Sequence, residues 1–81
     1  MGRFYFYLRA GDELIRDDEG VDLPDFSAAQ REATLAAREL LAEAIMSGRP
    51  KVPDALVIVD EVGRTLDAVA LAAVLPEPLK T

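Results

Sequence analysis

The first hydrophobic segment of the chain, residues 3–8, is aromatic and apolar after its first residue, Arg3. This composition favours a strand, because ring side chains lose conformational freedom against the preceding turn of a helix. Residues 10–12 provide turn chemistry, and residues 13–16 are predicted to return as a second strand. The first sixteen residues are therefore predicted to form a hairpin.

A polar segment follows, and it ends in a proline. Residues 17–20 are predicted to form a second turn in which Gly20 takes a positive φ. Residues 21–24 are expected to cross over in extended form, because the residue before Pro24 avoids the helical region of φ and ψ.

The hydrophobic period then changes to that of a helix, which is predicted over residues Phe26 to Ser47. Asp25 or Ser27 can cap its start, and Ser27 with Gln30 three residues later has the spacing of a capping box. Gly48 is expected to end the helix.

The last third of the chain predicts another hairpin. Residues 55–60 are rich in β-branched side chains, residues 60–63 form a turn, and a fourth strand runs over residues 64–71. Residues 72–75 can add one helical turn. A competing interpretation makes residues 67–75 a helix, because alanine and leucine favour that structure.

These elements predict an α+β domain with the order ββαββ and two layers. One layer is a four-stranded antiparallel sheet, and the other is one long helix packed on one face of that sheet. Residues 1–75 are assigned to this single small domain and residues 76–81 to a proline-containing tail. A domain this short buries only about 60% of its unfolded surface, so a partner chain would add stability.

Apolar residues form two stripes on opposite sides of the predicted helix. The stripe predicted to face the sheet is mostly alanine, which leaves space for Phe4, Phe6 and Leu8; it consists of Phe26, Ala29, Ala33, Ala36, Ala37, Leu40, Leu41 and Ala44. The opposite stripe consists of Leu35, Ala42 and Met46 with Ala28, between an edge with Arg31 and Arg38 and an edge with Glu32, Glu39 and Glu43. This second stripe has two interpretations: isolated surface residues of no significance, or a contact with a second chain.

The sheet is also predicted to be apolar on both faces. If Phe4 and Phe6 face the helix, Tyr5 and Tyr7 point to the other face, where Ile15 and alternate residues of 56–59 are expected to join them. An antiparallel sheet with one wet face normally alternates cleanly between apolar and polar residues. We therefore expect a homodimer that forms through the free sheet face or a strand edge, with the helix stripe as the second candidate surface.

Charge limits the classes of partner. The net charge is −6, and the nine basic residues are spread singly along the chain, whereas nucleic-acid binding and anionic membrane binding need a basic cluster. No apolar run reaches the length of a membrane span, and the strand-like first residues do not resemble a secretion signal. These features predict a cytoplasmic protein that binds neither nucleic acid nor membranes.

Acidic residues crowd the stretch from Asp12 to Asp25, and the low-probability candidates for a metal site are Asp17, Asp18, Glu19 and Asp22. The residue spacing of a calcium loop is missing, and turns use the same residue types, so turn chemistry is the favoured interpretation. Without histidine or cysteine, the commonest catalytic bases and nucleophiles are absent. We expect no enzyme activity and no cofactor.

Four stretches of the chain resemble a known family: RFYFYLRAGD at residues 3–12, DDEGVDLPD at 17–25, AARELLAEA at 36–44 and DEVGRTL at 60–66. The family comprises short alphaproteobacterial proteins, common in rhizobia and their relatives, catalogued as a domain of unknown function. The resemblance covers most of the chain and implies a bacterial origin, with no activity or site assigned. Two functions follow as hypotheses: a homodimeric protein-interaction or regulatory accessory module, or a small ligand- or cation-sensing module that uses the acidic loops.

Overall fold

A computed structural model describes residues 2–48 and 52–76 of the chain. It confirms the α+β class, with one long helix and an antiparallel sheet. The elements are β1 (Gly2–Ala10), β2 (Glu13–Ile15), β3 (Val21–Leu23), α1 (Phe26–Ser47), β4 (Ala55–Val59), β5 (Thr65–Ala70) and a 3₁₀ turn at Leu71–Val74.

The sheet has five strands, so the predicted four-stranded sheet and ββαββ order were wrong by one element. The order across the sheet is β2-β1-β4-β5, and β3 pairs with the first residues of β1. Strand β3 was missed because it has only three residues before a proline, which is the pattern of an extended crossover. Its pairing partner, the Gly2–Phe4 end of β1, lies about twenty residues away in the chain.

Strands β2 and β3 lie along the same edge of β1. Strand β4 takes the other edge, where it pairs with residues 5–9. Strand β2 pairs with residues 8–10 and β3 with residues 2–4, and between them the N–H of Phe6 donates to the side chain of Asp17. The loop at residues 17–20 therefore interrupts what would otherwise be one edge strand.

The predicted first hairpin is confirmed, and so is the separate turn that follows it at residues 17–20. Gly11 lies in the two-residue loop between β1 and β2 with φ 61°, and a positive φ at the first loop position is typical of a type II′ turn. Gly20 has φ 70°, as expected for the second turn.

Helix α1 has the predicted bounds. The Asp25 side chain caps its start by accepting from the N–H of Ala28 at 2.8 Å, and Gly48 ends it in the left-handed conformation. The capping box is not formed, because the N-cap is Asp25 and Ser27 therefore lies within the first turn. The Gln30 side chain donates instead to Asp67 of β5 at 3.2 Å.

The second hairpin pairs β4 with β5, with an irregularity in register between Ile58 and Val59. The competing interpretation of residues 67–75 as a helix was wrong, since residues up to Ala70 pair with β4. Only residues 71–74 form a helical turn, close to the turn predicted at 72–75. Of the predicted tail at 76–81, residues 77–81 lie outside the described residues.

The core lies between α1 and the middle of the sheet. Small residues of the helix, Ala29 and Ala33, pack against large strand residues, Phe4, Leu56 and Ile58. Phe6, Leu8 and Leu40 pack around this cluster and are partly buried, as the predicted alanine stripe required. Phe26, at the start of that stripe, remains 38% exposed.

Candidate functional site

The acidic loop at residues 17–20 is held by its own backbone. The Asp17 carboxylate accepts from the N–H groups of Phe6 at 3.1 Å, Glu19 at 3.0 Å and Gly20 at 3.2 Å. The side chain of Asp17 thus replaces the strand carbonyl that Phe6 would otherwise bond. These three hydrogen bonds explain why an aspartate stands at position 17, and no bound ion is needed to explain it.

These contacts also change the acidity of Asp17. Partial burial acts to raise the pKa of its carboxyl group, but the N–H donors of Phe6, Gly20 and Glu19 together outweigh burial. The pKa of Asp17 is therefore lowered from its ordinary value, and the carboxylate stays ionised.

The neighbouring acidic residues are paired within the chain as well. Asp22 forms a two-bond ion pair with Arg3, at 3.1 Å for each bond, and another N–H of Arg3 donates to the carbonyl of Glu19. In the second hairpin, Arg64 and the N–H of Val62 hold the Asp60 carboxylate. Asp18 and Glu19, the other two predicted metal candidates, are exposed. Within residues 2–48 and 52–76, no group of three metal-ligating side chains is close enough to hold an ion.

The sheet face opposite the helix carries both tyrosines of the chain. Tyr5 lies directly opposite Val59, and Tyr7 directly opposite Val57. These valines are only 3% and 2% exposed, whereas the tyrosines are partly exposed. Because directly opposed side chains in an antiparallel pair touch, the rings are placed to shield the valines.

Arginines surround the two tyrosines on this face. The guanidinium of Arg16 lies 5.7 Å from the ring centre of Tyr7, at cation–π distance. Arg9, two residues beyond Tyr7 on β1, is exposed and lies opposite Leu14, which is 49% exposed. We call this surface, Tyr5, Tyr7, Arg9, Leu14 and Arg16, the tyrosine face.

Ile15, which the sequence predicted for this face, is on the other side of the sheet. It pairs with Leu8, and Leu8 packs on the core beneath the helix. Its neighbour Leu14 takes the predicted place. A shift of one residue in register moves a side chain to the opposite face of the sheet. The turn between β1 and β2 sets this register, and the hydrophobic pattern did not determine the length of that turn.

The outer side of α1 carries the second predicted surface. Leu35 is 49% exposed, Met46 is 88% exposed and Ala42 is exposed. Ala28, which was predicted to join them, is buried at 7%. We call Leu35, Ala42 and Met46 the outer stripe.

An open groove runs beside Leu35 and has a volume of about 480 Å³. Polar side chains of the first half of α1 line most of it; the lining residues are Ser27, Gln30, Arg31, Thr34, Leu35 and Arg38. All six lining residues belong to α1, so the groove lies between side chains of this one helix.

A family model matches residues 3–72 of the chain, and its description is "Domain of unknown function (DUF6894)". The chain belongs to this family. The match covers every strand and the helix of the fold, including both surfaces named above. Neither a search of curated proteins nor a search of solved structures finds a match for this DUF6894 chain. In the described ranges, 2–48 and 52–76, no helix combines the length and apolar composition needed to cross a membrane.

Proposed function

We propose that this DUF6894 chain is a homodimeric protein-interaction module, with a regulatory accessory role and without catalytic activity. The tyrosine face binds the partner protein, and the outer side of α1 forms the dimer. The observation that carries this proposal is the composition of the tyrosine face, where two tyrosines lie opposite buried valines and two arginines lie beside the tyrosines.

Tyrosine and arginine are the residue types most enriched among the side chains that dominate binding energy in protein interfaces. Tyr5 and Tyr7 are fixed by their opposition to Val59 and Val57, so little side-chain freedom is lost on binding. Arg16 is likewise held over Tyr7. A surface of this kind is ordered before the partner arrives, which lowers the entropic cost of association.

The charge of the tyrosine face indicates the chemistry of the partner. Within the part of the chain that the structure describes, Arg9 and Arg16 have no carboxylate within ion-pair distance, while Arg3 is paired with Asp22. The chain as a whole has a net charge of −6, so this face is a local cationic surface on an acidic molecule. We propose that it binds an acidic segment of another protein.

Dimerisation is supported by exposed apolar side chains on α1. The valines of the tyrosine face are already shielded within one chain, whereas Leu35 and Met46 are not. Burial of such side chains contributes roughly 25 cal/mol per Å² of apolar surface removed from water. The tyrosine face has one comparably exposed aliphatic side chain, Leu14 at 49%, whereas the outer side of α1 has Leu35 at 49% and Met46 at 88%. We therefore assign the dimer to α1 and not to the sheet face, which the sequence favoured.

Two double variants with the same change in net charge test the proposal. Arg9→Glu with Arg16→Glu reverses the tyrosine face, and Arg31→Glu with Arg38→Glu reverses one edge of the helix. Sedimentation equilibrium should give twice the 8.8 kDa chain mass for the wild type and the first variant. Capture from a lysate of the native cells should recover a partner with the wild type but not with the first variant.

A monomeric wild type at hundreds of micromolar would refute the dimer. A partner that the wild type and the Arg9→Glu, Arg16→Glu variant capture equally would refute the tyrosine face as its binding surface.

The alternative function, cation sensing through the acidic loop, has less support because Asp17 and Asp22 already have partners within the chain. Thermal melts distinguish the two functions. A sensor melts at higher temperature when Ca²⁺ or Mg²⁺ is added, and a dimer melts at higher temperature when the protein is concentrated.

A further inference from the structure

The outer stripe of α1 is flanked by opposite charges in a regular arrangement. Arg31 and Arg38 lie seven residues apart on one flank, and Glu32 and Glu39 lie seven residues apart on the other. Seven residues are close to two helical turns, or about 10.5 Å along the axis. Each flank therefore presents two charges of one sign at this spacing, at nearly the same heights on the two flanks. Glu43 is a third glutamate on the second flank, one turn beyond Glu39.

None of these four charges has an ion-pair partner among residues 2–48 and 52–76. At 100° per residue, ion pairs within a helix need a spacing of three or four residues. No such pair of opposite charge occurs among the four. The ion pairs Arg3–Asp22 and Arg64–Asp60 involve none of the four. All four of these side chains are exposed.

Symmetry decides how two copies of this surface can meet. If two α1 helices run antiparallel about a twofold axis, each arginine flank lies beside the arginine flank of the second copy, and like charges repel. If the helices run parallel about a twofold axis along their length, each arginine flank lies beside the glutamate flank of the second copy. Parallel pairing then gives four opposite-charge contacts, Arg31 with the partner's Glu32 and Arg38 with the partner's Glu39, each twice.

The outer stripe suits the same arrangement. Leu35 and Ala42 lie seven residues apart between the two flanks, so both face the twofold axis. The small side chain of Ala42 allows the backbones to approach.

We infer that two copies of this chain dimerise through a parallel pairing of α1, with Leu35 and Ala42 on the twofold axis and Arg31 and Arg38 against the partner's Glu32 and Glu39. This inference rests on the dimer proposed above and specifies its surface and direction. It also leaves the two tyrosine faces pointing away from each other, since each sheet face lies on the side of the domain opposite to α1.

Charge reversal tests the flanks. Arg31→Glu with Arg38→Glu, and Glu32→Arg with Glu39→Arg, should each weaken the homodimer at least tenfold, measured as the dissociation constant by sedimentation equilibrium. An equimolar mixture of the two variants should form a heterodimer, because positions 31, 32, 38 and 39 are then all glutamate in one chain and all arginine in the other. The chain with all four substitutions should recover the homodimer of the wild type.

Cysteine cross-linking tests the direction, and the absence of native cysteine makes each introduced thiol unique. A disulfide needs Cα atoms about 4.4–6.8 Å apart. In a parallel pair, Leu35→Cys and Ala42→Cys should each give a covalent dimer on mild oxidation. In an antiparallel pair at most one of them can, because only one position lies at the crossing point. Leu14→Cys, on the tyrosine face, is the matched control and should stay monomeric under the same conditions.

The outcomes separate the two proposals. A wild-type chain that remains monomeric overturns both the dimer and this inference. A wild-type dimer that is unaffected by charge reversal, or that cross-links at position 14 and at neither 35 nor 42, overturns the parallel helix pairing and leaves the dimer standing.

Discussion

At the scale of single residues, Gly20 is fixed by a close approach as well as by its backbone angle. A Cβ at this position would lie 2.7 Å from Cε2 of Tyr5 and 3.0 Å from Cγ of Arg3, and φ is 70°. Gly11 has a similar φ of 61° but nothing within 4 Å of such a Cβ. The sequence predicted the positive φ of Gly20, but the contact with Tyr5 depends on a strand fifteen residues away.

Replacement of Gly20 by alanine should therefore destabilise the chain more than the matched replacement of Gly11. The left-handed conformation alone costs an alanine roughly 1 kcal/mol, and at Gly20 the displaced Tyr5 ring should raise the loss to about 2–3 kcal/mol. Urea unfolding measures both values. Equal losses at the two glycines would show that the contact between Gly20 and Tyr5 does not constrain the fold.

Asp17 should make stability depend on pH in the acid range. Because its pKa is lowered in the folded chain, its carboxylate stabilises the fold above the pKa of an unfolded aspartate, about 4. That contribution is lost as the pH falls through the lower pKa of the folded state. Asp17→Asn should thus cost about 1 kcal/mol at pH 7, since the group is largely solvated, and much less at pH 2.5. The neighbouring variant Asp18→Asn is the control; a cost for Asp17→Asn that is the same at both pH values would contradict this account.

At the scale of elements, the ends of α1 could be predicted because local chemistry sets them. Asp25 caps the start of the helix by accepting from an N–H three residues on, and Gly48 ends it in the left-handed conformation. Both effects act within a few residues of the chain. The pairing of β3 and the sheet face of Ile15 could not be predicted from the sequence, because both depend on the register between separate segments of the chain. The tyrosine face was predicted through Tyr5 and Tyr7, whereas Arg9, Leu14 and Arg16 were brought to it only by the pairing of β1 with β2.

The helix start provides a test between two caps that the sequence left open. Asp25→Ala removes the acceptor of the Ala28 N–H and should cost about 1 kcal/mol of unfolding free energy. Ser27→Ala should change it by less than about 0.5 kcal/mol, because Ser27 lies inside the first turn and caps nothing. Chemical denaturation of both variants, each at a concentration where the chain has one oligomeric state, makes the comparison. If Ser27→Ala lowered the unfolding free energy more than Asp25→Ala, Ser27 would be the N-cap.

At the scale of the whole molecule, the helix and the sheet have different roles in the proposed dimer. The helix layer joins two copies, and the sheet layer presents a cationic, aromatic surface at each end of the dimer. Two identical surfaces on one particle can engage two segments of a partner at once, which raises the apparent affinity through effective concentration without any new contact. A short acidic chain gains in this way both the stability of a larger core and a second binding surface.

The same dimer predicts that thermal stability rises with protein concentration. When unfolding is coupled to dissociation, a tenfold rise in concentration stabilises the dimer by about 1.4 kcal/mol, which for two chains of this size raises Tm by roughly 3–6 °C. Calorimetry of the wild type from 5 to 500 μM should show this slope, and the Arg9→Glu, Arg16→Glu variant should keep it because the helix is untouched. The Arg31→Glu, Arg38→Glu variant has the same net charge, and its Tm should be lower than that of the Arg9→Glu, Arg16→Glu variant at each concentration, because its homodimer is weakened. A wild-type Tm that is constant from 5 to 500 μM would mean that the fold is stable as a single chain, and that the exposed side chains of the outer stripe do not hold two copies together.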